Sequence, residues 1–219
     1  MVLTRSLLFV LFLSPAAWLF AGAWRNTLGP DPQEALLHGT GIWALRFLLL
    51  TLAVTPLRRW SGWNAPLRYR RMLGLFAFFY ASLHGFLFWA TELQLDPVAL
   101  WRELGERLYL FIGFAAWLWM VVLAATSPHG VRRRLRDAWR RIHRAVYLVA
   151  GLAVAHFWLS VKADWLEPLV YAILLIFLLA WRVYARLLKL PATAHKNRKQ
   201  TGENEHGHYT DRQRRAART

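Results

Sequence analysis

Six stretches of nearly uncharged apolar residues, joined by short charged connectors, constrain this chain more than any other feature of its sequence. They fall at about 6–24, 42–57, 72–91, 108–126, 142–161 and 168–188. A hydrocarbon layer about 30 Å thick asks a helix for about 20 predominantly apolar residues. A soluble domain of the same size would instead show amphipathic stripes with helical or strand periodicity. The chain therefore reads as an all-α membrane protein, a bundle of six transmembrane helices. The first run could also be a cleaved leader, since Ala21-Gly22-Ala23 resembles a small-residue cleavage site. Its near-spanning length favours a retained helix. No internal repeat is evident along the chain.

The formal charge of +16 would suit a nucleic-acid partner, but its placement argues against one. The arginines cluster beside the ends of the apolar runs, the pattern by which Lys and Arg mark cytoplasmic loops. Trp18, Trp24, Trp60, Trp63, Trp101 and Trp181 lie near the expected membrane interfaces, where amphipathic rings concentrate. The connectors after the second and fourth runs, the latter holding Arg132-Arg133-Arg134, and the tail hold nearly all the basic residues. Both termini are then expected in the cytoplasm, and the third and fifth runs point the same way. Residues 1–190 form the expected membrane domain. Residues 191–219 lack apolar periodicity and read as a disordered basic cytoplasmic tail, suited to a cytoplasmic donor or anionic lipid.

Charged and titratable groups inside spanning segments are costly and by default mark function. Here they are Arg46, His84, His143 and His156, and no Asp or Glu lies deep in any run. The lack of intramembrane carboxylates speaks against a proton- or cation-coupled transporter. With no cysteine in the chain, disulfides, thiolate iron–sulfur ligation and covalent C-x-x-C-H haem attachment are excluded. His84 follows Arg71, and His156 follows Arg141, by spacings that place both about 20 Å from the basic layer at 1.5 Å per residue. Two neutral imidazoles at one depth on parallel helices suit the two sides of a haem iron. The plainer alternative for His84 is a polar side chain hydrogen-bonded to a neighbouring helix.

His143 sits near the inner surface, level with Arg70 and Arg71. It could serve a second cofactor with an arginine on its propionates, stand beside a flavin, or be an interfacial histidine. Arg46 could neutralise a propionate or extend outward beside Trp43. His38 reads as a loop histidine; His129, His195, His206 and His208 carry no signal.

Gly39-Thr40-Gly41 with Leu52-Ala53-Val54-Thr55-Pro56-Leu57, then Arg70-Arg71-Met72-Leu73-Gly74-Leu75, then the stretch from Trp139-Arg140-Arg141-Ile142-His143 to Leu148 form an ordered series. This series resembles the MsrQ family, also called YedZ, over about residues 1–190. These are haem-binding membrane subunits of a bacterial periplasmic methionine sulfoxide reductase system, within the ferric-reductase-like transmembrane domains. The resemblance implies a redox conduit in the bacterial inner membrane. It would pass electrons from a cytoplasmic flavin reductase or the quinone pool to the periplasmic molybdopterin subunit MsrP, which repairs oxidised methionine in proteins. The chain alone would not reduce methionine sulfoxide. It implies haem b, one or two, held through His84, His143 and His156 with Arg70 and its neighbour Arg71 nearby, and an FMN that no residue here locates. The basic tail after Leu190 is longer than the resemblance leads one to expect. The rival readings are a ferric or quinone reductase of the same fold with another acceptor, and a cofactor-free transporter or assembly protein.

Overall fold

A computed structural model describes residues 2–161 and 164–188. The expected disordered tail at 191–219 lies outside the described residues. Eight helices make up the described chain, in the order α1 (Val2–Trp24), α2 (Pro32–Ser61), α3 (Ala65–Thr91), α4 (Pro97–Glu106), α5 (Leu108–Ala125), α6 (His129–His143), α7 (Val146–Ser160) and α8 (Leu166–Leu187). Helices α1, α2, α3, α5 and α8 are each long and apolar enough to cross a membrane. The bent pair α6 and α7 makes a sixth candidate.

Two helices lie where the sequence suggested only connectors. Asp96 accepts from the Val98 N–H at 2.8 Å and Pro97 occupies the first turn, so the 92–107 connector starts α4 with a side-chain cap and a preset φ. The basic connector after α5 forms α6, pinned back to α5 by the Trp139 indole donating to the Thr126 carbonyl at 3.0 Å. Correspondingly, the apolar run at 142–161 is not one straight helix. Arg144 and Ala145 donate to Arg141 and Ile142, and Tyr147 to Arg144. These three-residue bonds tighten the joint, and the two helices meet at 41°.

Helix α2 begins ten residues before its apolar run because Asp31 accepts from the N–H groups of Gln33 and Glu34, both at 3.0 Å, ahead of Pro32. It ends at Gly62, whose φ of 70° takes the left-handed turn a side chain would resist. After Gly62-Trp63-Asn64 the chain returns as α3.

The core forms where α2 and α3 meet α1 and α7. Phe47, Leu52, Ala77, Tyr80, Val149 and Ala150 are buried there. In lipid the drive for this packing is close contact and interhelical hydrogen bonding rather than loss of water. Phe12, Phe47 and Phe76 meet edge-on or tilted, and Phe47 stacks on Tyr80 at 5.3 Å. The Tyr80 hydroxyl enters the α1 backbone just after Pro15: it donates to the Phe12 carbonyl at 2.8 Å and accepts from the Ala16 N–H at 3.0 Å. A side chain inserted into the helical ladder beside a proline satisfies the groups that proline disturbs, and it ties α1 into the bundle.

The contacts define two ends. At one, His38 at the start of α2 meets Glu167 at the start of α8 (3.1 Å), and Leu19 near the end of α1 packs against Gly39. At the other, Arg182 of α8 donates to Thr55 of α2 at 3.0 Å, and Arg59 reaches the Ala185 carbonyl. The start of α1 and the end of α8 therefore lie at the same, arginine-rich end.

Candidate functional site

His84 on α3 and His156 on α7 come together, their ring centres 6.1 Å apart and their planes at 77°. Each ring is seated in the same way by the preceding spanning helix. His84 Nδ1 lies 2.9 Å from the Leu37 carbonyl of α2, and His156 Nδ1 lies 2.7 Å from the Tyr109 carbonyl of α5. A carbonyl only accepts, so both rings carry the proton on Nδ1 and leave the Nε2 lone pair for a ligand. One turn beyond each carbonyl stands a glycine. A Cβ on Gly41 would lie 3.0 Å from His84 Nδ1, and one on Gly113 only 2.7 Å from His156 Nδ1. The missing side chains make room for the rings.

This correspondence corrects the expectation that the chain holds no repeat. Gly41, Thr55-Pro56, Arg68 and His84 recur at a constant offset as Gly113, Ser127-Pro128, Arg140 and His156. The two hairpins, α2–α3 and α5–α7, are two renderings of one unit. Most residues between the matched positions differ in identity, which hides the pattern from a linear scan. Gly113 and the carbonyls of Leu37 and Tyr109 were not among the residues the sequence singled out, and Gly41 entered only as part of the family motif, with no role at His84. The constant offset is the signal that could have found them.

His143 is not brought to this pair. It is half-buried at the end of α6, stacked on Trp139 at 4.0 Å and 27°, with Nδ1 3.3 Å from the Trp139 carbonyl. The positive charges of Arg70 and Arg132 act on it. Arg70 is half-buried, and Arg71 is exposed at the same end. Arg46 does not enter the histidine pair; its Nε donates to the Tyr171 hydroxyl at 2.8 Å, and its guanidinium lies over Trp43. His38, read as a loop residue, instead lies in α2 and bonds Glu167 across to α8.

Among the described residues no cluster of three or more His, Asp or Glu side chains is arranged to hold a bare metal ion. Two opposed imidazoles can still hold an iron whose remaining ligands come from a macrocycle. Two metal–nitrogen bonds of about 2 Å and the half-width of each ring add to roughly 6 Å, the separation found here. The spacing of the two rings fits a haem iron between them.

A family profile described as "Ferric reductase like transmembrane component" matches residues 40–154, which takes in Gly41, His84, Tyr109 and Gly113. A protein-methionine-sulfoxide reductase heme-binding subunit MsrQ from Xanthomonas euvesicatoria pv. vesicatoria is 44% identical over 206 residues, covering 90% of this chain and 93% of the relative. The Bordetella pertussis protein of that name is 48% identical over 185 residues, covering 83% and 89%. That of Xanthomonas campestris pv. campestris strain 8004 is 46% identical, covering 81% of each. No solved structure matches the chain. With identity at this level across most of both partners, and a ferric-reductase-like match that spans Gly41, His84 and Gly113, the chain belongs to the MsrQ family.

Proposed function

We propose that this protein is the haem-binding membrane subunit of a protein-methionine-sulfoxide reductase, holding a b-type haem between His84 and His156. The observation that carries this is the pair of imidazoles 6.1 Å apart, each with Nδ1 tied to a backbone carbonyl. Bound haem supplies reversible one-electron redox chemistry, while the protein fixes its position and electronics. The Leu37 and Tyr109 carbonyls hold the ring orientation and raise the basicity of Nε2. Gly41 and Gly113 let α2 and α5 approach closely enough to do so.

By the positive-inside rule, the arginine end faces the cytoplasm of a bacterial inner membrane, and six spans leave both termini there. The histidine pair then lies toward the periplasmic side. Electrons would enter from a cytoplasmic flavin reductase or the quinone pool and leave to a periplasmic molybdopterin subunit, MsrP. Sulfoxide reduction belongs to that partner. His143, stacked on Trp139 with Arg70 and Arg71 at the same end, would serve a second, inner haem. FMN joins the proposal by family likeness alone, and no residue is assigned to it.

The test is a reduced-minus-oxidised visible spectrum of the detergent-purified, haem-replete protein beside His84→Ala and His156→Ala. A b-type spectrum lost or converted to another ligation state in both variants supports the pair. A folded wild type without haem, or either variant with an unchanged spectrum, refutes it. Methionine sulfoxide reduction by the isolated chain would refute the division of labour with a partner.

A further inference from the structure

Among the described residues, the arginine end of the bundle gathers far more positive than negative charge. Arg182 of α8 is half-buried between two hairpins: it donates to Thr55 Oγ1 of α2 at 3.0 Å and lies over the Tyr147 ring of α7 at 4.7 Å. The basic groups acting on it are Arg70, Arg186 and Arg59, from α3, α8 and α2. Among the described residues the ion pairs are His38–Glu167, Arg107–Glu103 and Arg140–Asp137, so none neutralises this group.

Converging like charges repel, and the repulsion grows as water is excluded. Holding Arg182 beside three further arginines is therefore unfavourable unless an anion completes the arrangement. A guanidinium offers five N–H donors in a fixed fork, and Thr55 takes one. We propose that Arg182, with Arg59 and Arg70 around it, forms a binding site for a phosphate group, supplied by an anionic phospholipid of the adjoining leaflet. The surroundings favour lipid as the source. Trp60 (85% exposed), Val183 and Leu187 (77% exposed) border the cluster with uncovered apolar surface, where acyl chains can lie while the headgroup meets the arginines. The site does not involve the His84–His156 pair.

Isothermal titration of the delipidated full-length protein in neutral detergent would test it, with short-chain phosphatidylglycerol, phosphatidylcholine, FMN and inorganic phosphate as probes. Phosphatidylglycerol should bind saturably and weaken as salt is added, and phosphatidylcholine should bind less well. Arg182→Gln should weaken phosphatidylglycerol binding about tenfold, the scale of one charge-assisted hydrogen bond. Should Arg182→Gln fail to fold, the exposed Arg59→Gln carries the same expectation. Tight binding of FMN or free phosphate that competes with the lipid and is lost in the same variants would support the phosphate site but place its source in solution. No preference for any phosphate anion over phosphatidylcholine, or binding unchanged in both variants, would overturn the proposal.

Discussion

Hairpins α2–α3 and α5–α7 seat equivalent histidines, yet they are built differently around the seat. The first closes through Gly62-Trp63-Asn64 and its helices run unbroken. It also carries most of the core, with Phe47, Leu52, Ala77 and Tyr80 buried and α1 fastened to it through Tyr80. The second inserts α6 between its helices and reaches α7 through a 41° bend. Arg136 in α6, at φ 44° and ψ −112°, leaves the helical region altogether. Despite this, the ring-to-carbonyl bond and the facing glycine are kept in both. The geometry at the imidazole is thus set by a short local arrangement of carbonyl, glycine and histidine on two packed helices. How the chain travels from one helix to the next matters far less.

The two seats are not equally tight, and variants can exploit this. Gly113→Ala should have the largest effect, because its Cβ would meet three atoms of the His156 ring between 2.7 and 3.1 Å. Such overpacking costs about 2 kcal/mol, roughly a thirtyfold loss of haem affinity, read as haem retained per folded protein. Gly41→Ala, with its nearest contact at 3.0 Å, should cost about 1 kcal/mol, a loss of roughly fivefold in the same assay. Equal losses in the two variants would break the ranking of the seats.

Tyr80→Phe acts on the first hairpin alone. Removing the hydroxyl that joins Phe12 and Ala16 should cost about 1 kcal/mol, seen as a lower apparent unfolding temperature with the haem spectrum unchanged. A shifted haem spectrum would mean that α1 supports the His84 seat as well as the core. His143→Ala should alter the His84–His156 spectrum least, because its ring is held by Trp139 at the other end of the bundle. Any component it removes would be a separate inner haem.

The residues that entered this comparison were unevenly visible in the sequence. His84 and His156 stood out because imidazole is costly inside an apolar run, and counting from the flanking arginines placed them at one depth. Their seats were invisible to that reasoning, since a backbone carbonyl leaves no mark in a sequence and glycines are common in membrane helices. Helices α4 and α6 were missed because charge suggested connectors. Yet a capped polar segment, or a basic amphipathic one, can be helical along the membrane surface.

The sequence by itself determined which segments are apolar enough to enter a bilayer, which end of each carries the arginines, and which side chains within them can do chemistry. These follow from transfer free energies that act residue by residue. Only the tertiary structure decided that His84 faces His156, that Gly41 and Gly113 admit their rings, that α6 and α7 meet at a bend, and that Arg182 is held among other arginines. Those depend on which helix faces pack together. In lipid, where burial of apolar surface scarcely distinguishes one face from another, that choice falls to shape and to a few hydrogen bonds.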